Sequence, residues 1–141
     1  MKKTNLQALT IIVLTTLTSL LLLTACSAPA LSADFNEEEV KQSAQDVVTL
    51  LNAKETEGLR MVFNERLNAA ISDDVFVQIY AAVEGAGNFE SFDNITVVGS
   101  TDKNTGEEFA TAVVAAKYEN QTLTYTLSFD KQMQLAGLYY R

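Results

Sequence analysis

The apolar positions of this chain change their period twice. From Leu6 to Ala25 they run almost unbroken, in Leu, Ile, Val, Ala and Thr without a charge. Residues 27–33 (Ser-Ala-Pro-Ala-Leu-Ser-Ala) show no period and hold the single Pro, so they read as a linker. From Asn36 the period is helical. Asn36 can cap a first helix reaching about Ala53, with Glu37, Glu38 and Glu39 at the positive end of its dipole and Glu39 at the capping-box position. Val40, Ala44, Val47 and Leu51 share one face of it. A second helix is expected over about Glu57 to Ile71, with Leu59, Val62, Phe63, Leu67 and Ala70 as its stripe. Ser72 then caps a third, led by Asp73 and Asp74, with Phe76, Ile79, Tyr80 and Val83 inward and Gly85 and Gly87 as its stop.

After Gly87 the period becomes two. Strands are expected over Phe92–Val98, Phe109–Tyr118, Thr122–Phe129 and Gln134–Tyr140, with a polar loop over Gly99–Gly106. A two-residue turn at Asn120-Gln121 would pair Tyr118 with Leu123, Ala116 with Tyr125, Val114 with Leu127 and Ala112 with Phe129. All eight are apolar or aromatic, and a one-residue slip would mix the two faces. A three-residue turn with a bulge at Met133 would put Leu135, Gly137 and Tyr139 on the same core face. Tyr139 would then lie across from Tyr125, and Gly137 would leave room for a helix. The expected fold class is α+β: three N-terminal helices packed on one face of a four-stranded antiparallel meander.

The N-terminal segment carries its own signal. Lys2 and Lys3 precede the apolar run, and small residues follow it, as in a secretory signal. Leu23-Thr24-Ala25-Cys26 resembles the bacterial lipobox. The resemblance implies a diacylglyceryl group on the Cys26 thiol and a cut between Ala25 and Cys26. It gives a signal peptide over 1–25, a lipidated cysteine and tether over 26–35, and a domain over 36–141. Two acyl chains suffice to hold a protein on a membrane where one does not. The same run is also long enough for an uncleaved anchor, and a plain secretory signal with an incidental thiol is a third reading. The lone cysteine favours the lipoprotein, because an exported protein with one unpaired thiol is odd unless the thiol is used. The address would be the cell membrane or the outer membrane, lipid-anchored and extracytoplasmic.

Composition narrows the chemistry. The net charge is −8 over 141 residues, and removing residues 1–25 takes away two lysines and no acid, so the domain carries −10. Such a domain repels phosphates, and no nucleic-acid partner is expected. With no His and one Cys there is no usual zinc site and no His-based triad. No metal and no cofactor is expected. Asp102-Lys103-Asn104-Thr105-Gly106-Glu107-Glu108 has oxygen ligands but misses the EF-hand spacing, and a strand connection explains it better. Asp73-Asp74 is better explained by the helix start than by acid–base chemistry.

Gly87-Asn88-Phe89 after the third helix, and Phe129-Asp130 leading to Leu135-Ala136-Gly137-Leu138-Tyr139, resemble the bacterial domain-of-unknown-function 3887 family over about Val40 to Tyr140. The chain departs from that pattern at Tyr80, where Trp is expected, and at Met133, where the turn prefers Gly. The resemblance implies the cone-shaped, cystatin-like fold of nuclear transport factor 2-like proteins. It carries over no activity and no catalytic residue.

Two candidate sites follow. Tyr80, Tyr118, Tyr125 and Tyr139 would line a pocket between helices and sheet, or else fill a core with their hydroxyls at its edge. Phe109, Val113, Ala115, Leu138 and Tyr140 would lie on the uncovered sheet face, as a homodimer or protein interface or as a lightly polar solvated face. The function read from this is a binding or protein-interaction module. A small-molecule enzyme with a pocket carboxylate and a structural envelope protein are the alternatives. No acidic residue falls on the expected core faces, which counts against the enzyme.

Overall fold

The computed structural model describes residues 29–141. The apolar run with Leu23, Thr24, Ala25 and Cys26 lies outside the described residues. Among the described residues four helices precede four strands: α1 (Glu37–Asn52), α2 (Thr56–Val62), α3 (Glu65–Ala70), α4 (Asp73–Ala86), β1 (Phe89–Thr101), β2 (Glu108–Tyr118), β3 (Thr122–Phe129) and β4 (Leu135–Tyr140). The strands form one antiparallel meander in the order β1-β2-β3-β4. The domain is α+β, with the helices on one sheet face.

Helix α1 starts as its sequence dictates. The Asn36 side chain accepts from the Glu39 N–H at 3.1 Å, and Phe35 and Val40 are buried at the positions of a hydrophobic staple. Val40, Ala44, Val47, Val48 and Leu51 are buried along α1, which lies over β1 and β2. Beneath it β2 presents Ala110, Ala112, Val114 and Ala116, while β3 presents Leu123, Tyr125, Leu127 and Phe129, all buried. Small residues lie under the helix and large ones beside it, and all are buried. Each fully buried leucine contributes roughly 1.5–3 kcal/mol.

The expected second helix is two helices. Phe63 is extended (φ −74°, ψ 143°) and Asn64 starts α3, its side chain accepting from the Leu67 N–H at 2.9 Å. At the break Phe63 bridges Leu135 in parallel, and the Asn64 N–H donates to the Leu135 carbonyl at 2.8 Å. The apolar stripe hides this break, because Leu59, Phe63 and Leu67 are buried on either side of it. Arg60 ties the short helices together: its guanidinium donates to Asn68 Oδ1 (3.0 Å), the Ile71 carbonyl (3.3 Å) and Asp73 (2.8 Å), and stands over the Phe76 ring. Asp73 is thereby engaged at the helix start. Ser72 occupies the cap position of α4 without a side-chain capping bond.

Part of the expected linker is packed. Pro29 accepts a hydrogen bond from the Gly99 N–H at 3.0 Å, Leu31 packs on the core, and Phe35 is buried. Gly99 is therefore inside β1, which continues to Thr101 and begins at Phe89, longer than expected at both ends.

The β2–β3 register differs from the expected one by two residues. Ala116 faces Leu123, Val114 faces Tyr125, Ala112 faces Leu127 and Ala110 faces Phe129. The faces are unchanged, because a two-residue shift preserves them. The connection is longer than two residues: Lys117 pairs with Thr122, and the Tyr118 N–H donates to the Gln121 carbonyl at 2.9 Å. The turn is held by the end of α4, where the Asn120 N–H donates to Ala86 (2.9 Å) and the Glu119 N–H to Asn88 (3.0 Å).

The β3–β4 turn has the expected left-handed residue, Met133 at φ 58°. A second irregularity follows. Phe129 faces Leu135 but Ser128 faces Gly137, so Ala136 is an extra residue. The bulge reverses the faces of everything after it. Leu138 and Tyr140 turn to the core side, with Tyr140 across from Tyr125. Gly137 turns to the outer face, where it meets Ser128 and no helix.

Candidate functional site

The four tyrosines do not form one group. Tyr118 and Tyr125 meet beneath α1, their hydroxyls 2.8 Å apart, and the Tyr118 hydroxyl donates to Asn52 Oδ1 at 2.6 Å. Tyr80 stands apart, its hydroxyl 2.8 Å from Thr56 Oγ1 and its ring stacked on Phe76. Tyr139 lies on the opposite sheet face, 63% exposed, which corrects its expected place in the core. The Ala136 bulge is the reason, and it substitutes Tyr140 as the neighbour of Tyr125.

Tyr118 opens onto a cavity of about 270 Å³ at the β2–β3 turn, lined also by Asn52, Lys54, Val83, Glu84, Phe89 and Glu119. The Phe89 ring meets Tyr118 edge-on at 5.7 Å. Lys54 pairs with Glu84 at 3.1 Å on the rim. The Glu119 carboxylate accepts from the Asn88 N–H at 3.0 Å, and this bond holds its pKa below the usual range. Burial raises the Tyr118 hydroxyl pKa and raises that of Tyr125 further, with the Tyr118 hydrogen bond adding to the second shift. Both hydroxyls are therefore neutral at physiological pH and unsuited to acting as bases. Asn52 and Phe89 were not legible as site residues, since a helix end and a strand start carry no chemical signature.

A second hollow of about 390 Å³ runs along β4, between Leu67, Ile71, Val75 and Ile79 and the pair Leu138 and Tyr140. These last two therefore belong to the helix-facing side. Their expected place on the outer face is corrected by the same bulge.

The outer face is the remaining surface. Phe109, Val113 and Ala115 lie there half-buried. A row of hydroxyls crosses it, with Ser100 3.0 Å from Thr111 and Thr111 2.9 Å from Ser128. Thr96, Val98, Thr124, Thr126 and Tyr139 complete it. Its charges lie at the margins: Lys117 with Glu90 at 2.7 Å at one end, Arg141 paired with Thr124 at the β4 edge, and Arg66 and Asp102 beside Ser100, Phe109 and Ser128 at the other end.

Among the described residues the buried carboxylate is Asp130. Its oxygens accept from the Gln132 and Gln134 N–H groups (3.0 and 2.9 Å) and from the Asn64 amide (3.4 Å), so it organises the β3–β4 turn. Asp102 does the same for its loop, accepting from the Asn104 and Thr105 N–H groups, which lower its pKa. No three metal-ligating side chains come together among the described residues.

A family model described as protein of unknown function (DUF3887) matches residues 44–138. The structure is similar to the NMR structure of a protein from Ruminococcus gnavus ATCC 29149, with a TM-score of 0.70 at 21% identity, covering 79% of this chain and 96% of that one. At that identity the likeness speaks to the fold alone. A comparison with curated proteins gives no match.

Proposed function

Because the chain belongs to the DUF3887 family of proteins of unknown function, we propose that it is an extracytoplasmic lipoprotein, anchored through Cys26, whose domain is a protein-interaction module working through its outer sheet face. The layered domain is read as the cone-shaped, cystatin-like fold of nuclear transport factor 2-like proteins. The lipobox-like Leu23-Thr24-Ala25-Cys26 behind an uncharged apolar run supports the anchor.

One observation carries the interaction reading. On a domain of net charge −10, the middle of the outer face is made of Thr, Ser, Val, Ala and aromatic side chains, with its charges confined to the margins. A neutral patch on a strongly charged molecule can be desolvated without stranding a charge, and flat semi-apolar sheet faces tend to be buried against something. A second copy of the chain fits best, since it would bring neutral against neutral and leave the acidic residues in water.

The test is the oligomeric state of the lipid-free domain from Ser27 onward, with and without Val113→Asp and Tyr139→Asp. Association that both substitutions abolish while the fold remains intact supports the reading. A monomer at all concentrations, together with a native crosslinking pattern that neither substitution alters, overturns it. For the anchor, Cys26→Ser should leave the protein as precursor or out of the detergent phase. An unmodified Cys26 thiol in the wild-type mass would refute lipidation.

A further inference from the structure

We propose that the strap Pro29–Phe35 makes the Gly99 end of the sheet the membrane-facing end of the protein, with the lipid surface as its partner, and holds the Tyr118 cavity and the turn beside it away from the bilayer. This rests on the anchoring at Cys26 proposed above and deepens it.

The strap is fastened at three places. At the edge of β1 the Pro29 carbonyl accepts from the Gly99 N–H at 3.0 Å. A Cβ at Gly99 would run into the Ala30 carbonyl and lie 3.3 Å from Leu31 Cα, so the strand can take the crossing backbone only because residue 99 is glycine. Leu31 then packs on the core. Beyond it, Ser32 donates to Glu108 at 3.4 Å and Asp34 pairs with Lys131 at 2.6 Å, while Lys131 also reaches Glu108 at 2.9 Å. The carboxylates beside Lys131 raise its pKa and keep it charged.

Chain length does the rest. Only Ser27 and Ala28 separate Cys26 from Pro29. In any conformation Cys26 lies within about 11 Å of Pro29, at about 3.6 Å per residue. A diacylglyceryl group at Cys26 must sit in the bilayer, so Gly99 is held at the headgroups. Without the strap, the nine residues Ser27–Phe35 would reach roughly 30 Å and fix no orientation.

The opposite end follows from two independent lengths. Gly99 faces Ala110, and the eight steps from Ala110 to Tyr118 along β2 span about 26 Å. Helix α1 starts beside the strap and its 16 residues span about 24 Å, ending at Asn52, which bonds Tyr118. Charge does not set this pose: Asp34, Glu37, Glu38, Glu39 and Glu108 lie at the strap end with Lys41 and Lys131, so the short anchored strap holds the end at the headgroups against repulsion from anionic lipid. The outer face, neutral through its middle, is then presented sideways, open to a neighbouring copy on the same membrane.

The experiment uses the full lipidated chain in vesicles of phosphatidylethanolamine and phosphatidylglycerol. Cys26 is the chain's one cysteine, and its thioether leaves an introduced cysteine as the free thiol. Dyes are placed by Thr101→Cys and, separately, Asn120→Cys, both at exposed positions, and energy transfer to a headgroup-labelled lipid is read. Transfer from the Thr101 position should be several-fold stronger than from the Asn120 position. Gly99→Val, which expels the strap, should lower the Thr101 signal toward the Asn120 signal. Equal transfer from the two positions, in protein whose mass confirms acylated Cys26, overturns the orientation and leaves the anchor standing; this comparison does not depend on the Gly99 variant folding. An unacylated Cys26 overturns the anchor and the orientation with it.

Discussion

The hydroxyl of Tyr118 sits between two partners, 2.8 Å from the hydroxyl of Tyr125 and 2.6 Å from Asn52 Oδ1. A carboxamide oxygen only accepts, so Tyr118 donates to Asn52 and Tyr125 donates to Tyr118. The chain of bonds joins β3, β2 and the end of α1, and its Tyr118 and Asn52 line the cavity.

That direction predicts an asymmetry. Tyr118→Phe strands the buried Tyr125 hydroxyl and should cost about 1–3 kcal/mol, whereas Tyr125→Phe leaves the Tyr118–Asn52 bond intact and should cost about 0.5–1.5 kcal/mol. Urea denaturation of both variants and of the double variant reads the difference. A larger loss in Tyr125→Phe than in Tyr118→Phe would contradict the donor order.

Alkaline pH tests the same pair. Burial raises both folded pKa values above the ordinary value of 10.0. A raised folded pKa means that the unfolded chain loses the proton first, so the contribution is complete below pH 10 and declines as pH rises above it. Stability should fall above about pH 10. The lysine ion pairs weaken in the same range, so the informative quantity is the difference from the Tyr118→Phe/Tyr125→Phe double variant, whose pH slope should be shallower. Identical slopes would mean that these hydroxyls ionise as freely in the fold as in water.

The Ala136 bulge predicts opposite outcomes at neighbouring positions. A Cβ at Gly137 would meet Ser128 at an ordinary 3.5 Å, so Gly137→Ala should be neutral or add about 0.4–1 kcal/mol. Leu138→Ala, across from Leu127 on the core side, should cost about 1–2 kcal/mol in lost burial. Thermal unfolding compares them. A destabilised Gly137→Ala variant would place that residue against a helix after all.

Salt separates the partners the outer face can take. Two copies of charge −10 repel at long range, and salt screens that repulsion. A homodimer should therefore tighten from low salt to high salt, while a complex with a basic protein should weaken. Sedimentation across a salt series, repeated with Val113→Asp, reads both. A homodimer that loosens with salt would point to ion pairs and away from this face.

Much of this molecule could be read from its residues. Asn36 and the three glutamates announce α1, the switch in apolar period after Gly87 divides helices from strands, and the alternation in residues 109–129 assigns the inner and outer faces of β2 and β3 correctly. These are local matters, set by dihedral preference and by the side-chain period of each element. What the residues did not reveal depends on contacts made at a distance. A period of two cannot distinguish registers that differ by two residues, and the choice was made where Glu119 and Asn120 hydrogen-bond to Asn88 and Ala86 at the end of α4. The break at Phe63 exists because β4 offers the Leu135 carbonyl to Asn64. The Ala136 bulge moved Tyr139 outward and brought Tyr140 inward, and no property of either tyrosine announces which one will face the core. By itself, the sequence determined the lipobox-like segment, the acidity, the α+β class and the faces of β2 and β3. The tertiary structure alone decided the register, the tyrosine at the core and the docking of the strap on Gly99, because each is settled by backbone groups satisfying one another across elements that are far apart in the chain.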